Sequence, residues 1–231
     1  MTSDAPRLNL HNRLTSVADS ELSVLLASLS TLHLDPSSTD ARFFRGTTNV
    51  RFSTALCYSR AISHLPNDAF AGSIWHNLAP SRCRSFLWLA HHSKINTHVR
   101  LRSRRANNSS LYHFCGADED VPHLLLHCPR AQNFWLLLGI QSNHVSSIEL
   151  LWSADFPGPA IPNQIVRSTI TTCFLWNVWK CRNAKVFSMT DDSNGDIIRR
   201  CHLDLKLCAS RARSPSARLC LENWSSFLLS M

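Results

Sequence analysis

The sequence predicts a mainly α-helical fold. Three observations predict it: apolar residues recur at spacings of three and four, strand-type alternation is scarce, and only 6 of 231 residues are glycine. Hydrophobic residues make up 44% of the chain, enough for a sizeable core in one or two domains.

The elements follow in order. A first helix is predicted from about Asp19 to Leu34, where Leu22, Leu25, Leu26 and Leu29 share one face. Pro36, Ser37, Ser38 and Thr39 break it, and a short extended or turn segment around Arg51 to Tyr58 enters a second helix. Ile74 and Trp75 end another helix, and Pro80 sits where a first-turn proline opens the next. In that helix Cys83, Phe86, Leu87 and Ala90 form an apolar face, with Arg82 and Arg84 largely off it. Pro129 opens a helix containing Phe134, Trp135 and Leu138. Pro157, Pro159 and Pro162 suggest a linker. Beyond them lie a long helix over Asn163 to Phe187, a helix bearing Ile198, Cys201, Leu205 and Cys208, and a short closing helix around Trp224. The breaks divide the chain into an N-terminal helical segment and linker (1–48), a central domain (49–140), a linker (141–162) and a C-terminal helical tail (163–231).

A net charge of +8 and a pI near 9.3 favour polyanionic partners, chiefly nucleic acid. Met1 to His11 lacks the apolar run of a signal peptide, and no stretch reaches the length of a membrane-spanning helix. The nine cysteines therefore read as buried thiols plus a metal site in a reducing compartment, nuclear or cytoplasmic. No membrane and no small-molecule substrate is expected as a partner.

Soft metal ligands cluster in one place. Cys115, His123 and Cys128 stand at the spacing Cys-x7-His-x4-Cys, three quarters of a zinc knuckle. Zinc prefers four tetrahedral thiolate or imidazole ligands in a closed structural site. His123 and Cys128 are compatible with one helical turn plus a cap, and the Pro129 helix favours a thiolate on Cys128 through its N-terminal dipole. Tyr112 occupies the position of the missing cysteine; His113 is the candidate fourth ligand, or water completes the shell. His127 is expected to point away. The plain alternative is that Cys115 and Cys128 are buried thiols and His123 a surface or capping residue.

The surroundings of the knuckle resemble the zinc-binding domain that follows the reverse transcriptase in LINE-type (non-LTR) retrotransposon proteins, especially those of plants. The residues carrying the resemblance are Phe52-Ser-Thr-Ala-Leu-Cys-Tyr58, Ile74-Trp75, Pro80, Phe86-Leu-Trp-Leu-Ala90, Thr97, Leu101, Cys115-x7-His123-Leu-x3-Cys128-Pro129 and Phe134-Trp135. Leu14-Thr-x4-Ser20-Glu-Leu and Asp40-x-Arg42 resemble the segment leading in, and Trp176-Asn-Val-Trp-Lys-Cys-Arg-Asn183 with Val186-Phe187 the tail that follows. The chain thus reads as a C-terminal fragment of such a protein with a degenerate knuckle. The resemblance implies zinc as cofactor and a non-enzymatic module that helps engage RNA or DNA. A relic with neither metal nor nucleic-acid binding is the alternative.

Arg100, Arg102, Arg104 and Arg105 form the densest basic run, with Arg82, Arg84 and Lys94 nearby in sequence. Together these arginines are the candidate nucleic-acid-binding residues, through phosphate contacts. Arg199, Arg200, Arg211, Arg213 and Arg218 form a looser second region. Trp75, Trp88, Trp135, Trp176 and Trp179 are expected in the core, Cys201 and Cys208 as small core residues, and His91 and His92 at a helix-end surface. Asp191, Asp192, Asp196 and Lys206 are the residues a nuclease would need, in a pattern that does not support one.

Overall fold

A computed structural model describes residues 15–31, 37, 42–43, 50–104 and 114–231. Its contacts divide the chain into two units, Met1–Pro66 and Asn67–Met231. The first unit carries α1 (Ser16–Ser30) and α2 (Thr54–Ile62). Thr15 caps α1 by accepting the Ala18 N–H, and Ser53 caps α2 by accepting that of Leu56. Neither helix buries a residue, so the leucine face of α1 is not a core face. An isolated antiparallel bridge joins Phe43 to Arg51 ahead of α2; no strand is present among the described residues.

The second unit is built around one long helix. In chain order it contains α3 (Ala71–Trp75), α4 (Ser81–His91), α5 (His98–Arg104), a π-turn (His123–His127), α6 (Pro129–Leu137), two 3-10 turns (Ser142–His144 and Ile148–Trp152), α7 (Gln164–Ser188), α8 (Asn194–Arg211) and α9 (Pro215–Leu229). Helices α3, α4, α8 and α9, the π-turn and the second 3-10 turn all pack on α7. A surface helix buries only one face, but α7, being surrounded, buries eight successive residues: Ser168–Leu175 are all inaccessible or nearly so, as is Val166. Its buried threonines remain satisfied because Thr169, Thr171 and Thr172 donate to the carbonyls of Ile165, Arg167 and Ser168. Thr169 Oγ1 also accepts the Leu78 N–H, which fixes the turn between α3 and α4.

The apolar positions of α4 are buried as its periodicity predicts, and Pro80 serves as the N-cap, one residue before the first turn. Ile197 rather than Ile198 is buried on α8. Among the tryptophans, Trp135 is fully buried and Trp75 is 39% exposed, since α3 ends there at the surface. The stretch 141–162 does not separate two cores. Ile148, Leu151 and Trp152 are buried within the same cluster as Trp135 and Trp224, and Trp224 donates its indole N–H to the Pro159 carbonyl at 2.8 Å. Prolines stop helix formation here without preventing packing.

Candidate metal centre and basic face

The knuckle begins at a turn through Phe114, Cys115 and Gly116. Gly116 takes φ 72°, a left-handed conformation that glycine adopts without strain, and so reverses the chain after Cys115. The chain then enters the π-turn, where Asp120 Oδ1 accepts the His123 N–H at 2.8 Å.

The π-turn places the ligands. In an α-helix, residues five apart point about 140° away from each other. Here the Cys128 N–H instead bonds the His123 carbonyl at 2.7 Å, closing an i→i+5 ring that returns Cys128 over His123. The carbonyls of Leu125 and Leu126 find outside donors: Trp135 Nε1 and Ser142 Oγ, each at 2.8 Å. Leu124, Leu125 and Leu126 are fully buried, and this hydrophobic anchoring holds the irregular turn in place.

Cys115 Sγ lies 3.1 Å from His123 Nε2 and 4.0 Å from Cys128 Sγ. Tetrahedral zinc with ordinary bond lengths requires S···N of ~3.5 Å and S···S of ~3.8 Å. The two observed distances straddle those values, and all three ligand atoms lie within 4.8 Å of one another, so this donor set fits the ion. Cys115 is exposed while Cys128 is buried, giving a site open on one side. Burial pushes the Cys128 thiol up to about 11, overriding the Arg130 and Ala131 N–H groups that favour its thiolate. At this thiol burial outweighs the helix N-terminus, the reverse of the expectation from the Pro129 helix. Burial also lowers the His123 pKa, which keeps its imidazole neutral, the form that binds metal. His127 turns away, with Nε2 2.9 Å from the Val145 carbonyl. Tyr112 and His113 lie outside the described residues.

A residue outside any motif anchors this segment. Glu119, between Cys115 and His123, is fully buried and pairs with Arg182 of α7, which is 2% exposed. The His98 backbone N–H donates to the same carboxylate, and Arg182 stacks over Trp179 at 5.1 Å. A lone acidic residue in a polar loop carries no periodic signal for such burial.

Of the predicted basic residues, Arg82, Arg102 and Arg104 are exposed and Arg100 is half-buried, while Arg105 lies outside the described residues. Arg84 is committed within the fold, donating to the Trp75 carbonyl and to Ser81 Oγ. A cleft of about 400 Å³ is lined by Arg82, Leu89, Lys94 and Trp179 among others. The second basic region is largely engaged: Arg199 pairs with Asp196, Arg200 with Asp192, and Arg218 donates to the Ala212 carbonyl. The nuclease-like carboxylates are correspondingly occupied, Asp191 by Lys185 and Arg130.

Residues 52–135 match the family described as zinc-binding in reverse transcriptase. The chain is also 28% identical over 128 residues to an Arabidopsis thaliana protein provisionally named as a ribonuclease H protein. That similarity covers 53% of this chain and 21% of the relative, so the chain spans about a fifth of it. Both similarities support a retrotransposon-related origin. No solved structure matches. Among the described residues no helix is long and apolar enough to cross a membrane.

Proposed function

We propose that this chain is a non-enzymatic, retrotransposon-derived zinc-knuckle module that binds RNA or DNA. The observation carrying the proposal is the convergence of Cys115, His123 and Cys128 at near-tetrahedral separations inside the segment that matches the zinc-binding family. In this reading zinc is structural. Bound there, it fixes the Cys115 turn to the π-turn, adding to the anchorage by Glu119 and Arg182. Phosphate contacts come from Arg100, Arg102, Arg104 and Arg105, with Arg82 and Lys94 at the neighbouring cleft. The absence of a catalytic role is supported by Asp191, Asp192 and Asp196, each already held by basic side chains.

The test is binding of labelled single-stranded RNA and duplex DNA across a salt series. Phosphate contacts predict an affinity falling steeply with salt, and an Arg102→Ala, Arg104→Ala double variant with a log–log slope shallower by roughly 1.4 to 1.8. Absence of binding even at low salt would contradict the proposal and favour the relic.

A further inference from the structure

A second group of ligand atoms converges away from the knuckle. It joins the loop before α3, the end of α4 and the second 3-10 turn. Asp68 Oδ2 lies 3.0 Å from His91 Nε2 and 3.4 Å from His92 Nε2, and the three atoms all lie within 4.8 Å of one another. On the far side of the ring, His91 Nδ1 lies 2.5 Å from Glu149 Oε1. We infer that Asp68, His91 and His92 form a second divalent-metal site of N,N,O type, oriented by Glu149.

Glu149 is an acceptor beside His91 Nδ1, so that nitrogen carries the hydrogen in neutral imidazole. Nε2 then presents only a lone pair, aimed at a carboxylate oxygen. His92 Nε2 approaches the same oxygen. The His91 lone pair and the carboxylate repel unless positive charge lies between them, and a bound cation supplies it. His92, its ring centroid 4.7 Å from that of His91, offers a second nitrogen donor to the same ion. A single divalent ion serves all three atoms at once. Tetrahedral coordination by imidazole nitrogen and carboxylate oxygen requires edges of ~3.3 Å, close to the 3.0 and 3.4 Å from Asp68 to the two histidines.

The surrounding structure supports the ligands as it does in metal sites. Asp68 Oδ1 accepts the Phe70 N–H at 2.8 Å, which fixes the carboxylate and leaves Oδ2 for the ion. A carboxylate on the remote nitrogen of a ligating histidine sets its tautomer and orientation. Phe70 packs against the His91 ring at 5.1 Å and Trp152 packs edge-on against Phe70 at 4.6 Å, holding the ring in place. His92, 39% exposed on its side chain, leaves the ion open to water. Imidazole and carboxylate donors suit zinc, cobalt or nickel.

Cobalt(II) titration of the chelator-treated full chain tests this inference, because thiolate ligands produce intense charge-transfer absorption and an N,N,O site does not. The expected result is one cobalt equivalent taken up without charge-transfer absorption, lost in His92→Ala and in Asp68→Asn. Glu149→Gln should weaken that equivalent by about 10- to 100-fold. His92 is exposed enough to be replaced without disturbing the core, and circular dichroism checks the fold. The inference is overturned if every bound cobalt shows thiolate absorption, if no cobalt binds, or if the non-thiolate equivalent survives both substitutions. A Cys115→Ser, Cys128→Ser double variant separates the sites: it removes thiolate absorption and leaves the non-thiolate equivalent if this site stands independently of the knuckle.

Discussion

Arg182 and Glu119 meet in a two-pronged ion pair with almost no solvent exposure, Nε 2.5 Å from Oε1 and Nη2 2.9 Å from Oε2. The pair ties the loop between Cys115 and His123 to the central helix α7. Removing either partner leaves the other charge buried. Arg182→Ala or Glu119→Ala should therefore destabilise the fold by about 3–5 kcal/mol in urea unfolding. The double variant should lose less than the sum of the two, because one interaction is removed twice in the singles.

Gly158 lies against the ring of Trp224: a Cβ there would sit 2.6 Å from Cη2. The indole is fixed by its bond to the Pro159 carbonyl and by edge-on contact with Phe227. Gly158→Ala should thus overpack the core and destabilise by about 1–3 kcal/mol, read as a lower urea midpoint with an unchanged slope.

At the start of α8, Ser193 and Asp196 form a reciprocal capping box, and Ser193 first, then Arg199, lowers the Asp196 carboxyl from 3.8 to about 2. A depressed folded-state pKa contributes stability above 3.8 that is lost as pH falls towards 2. Wild type should exceed Asp196→Asn in thermal stability at neutral pH. That gap should close between pH 4 and 2; a constant gap would contradict the assignment.

The thiols divide sharply by exposure. Cys57 and Cys115 are exposed and the other seven are buried. Burial raises the Cys83 thiol to about 11 and raises the Cys201 thiol too, while the sulfur contact with Cys208, together with burial, raises Cys173 well above the usual thiol range. Brief alkylation of the native metal-free protein, read by peptide mass mapping, should mark Cys57 and Cys115 first. Zinc should protect Cys115 and leave Cys57 reactive.

Much of this architecture was legible because periodicity reports burial. Cys83, Phe86, Leu87 and Ala90 predicted the face of α4, and Asn163 and Pro129 mark where α7 and α6 begin. Cys115, His123 and Cys128 stood out by their spacing. Their mutual placement was not legible, since it depends on a π-turn whose spare carbonyls are met by Trp135 and Ser142 far along the chain. Glu119, Asp68 and Glu149 escaped for the same reason: each acquires its role from a partner distant in sequence. His91 and His92 did sit at a helix end as expected, but their pairing with Asp68 and Glu149 required the folded chain. The leucine face of α1 was legible as a pattern, and the structure leaves it exposed.

Zinc binding as proposed requires Cys115, His123 and Cys128 to act together on one ion. Its most direct test is the absorption spectrum of the cobalt-loaded full chain. Two thiolates and an imidazole predict intense thiolate-to-cobalt charge transfer, about halved in Cys115→Ser and displaced by zinc. A cobalt-loaded protein without that absorption, or with absorption unchanged in Cys115→Ser, would contradict it.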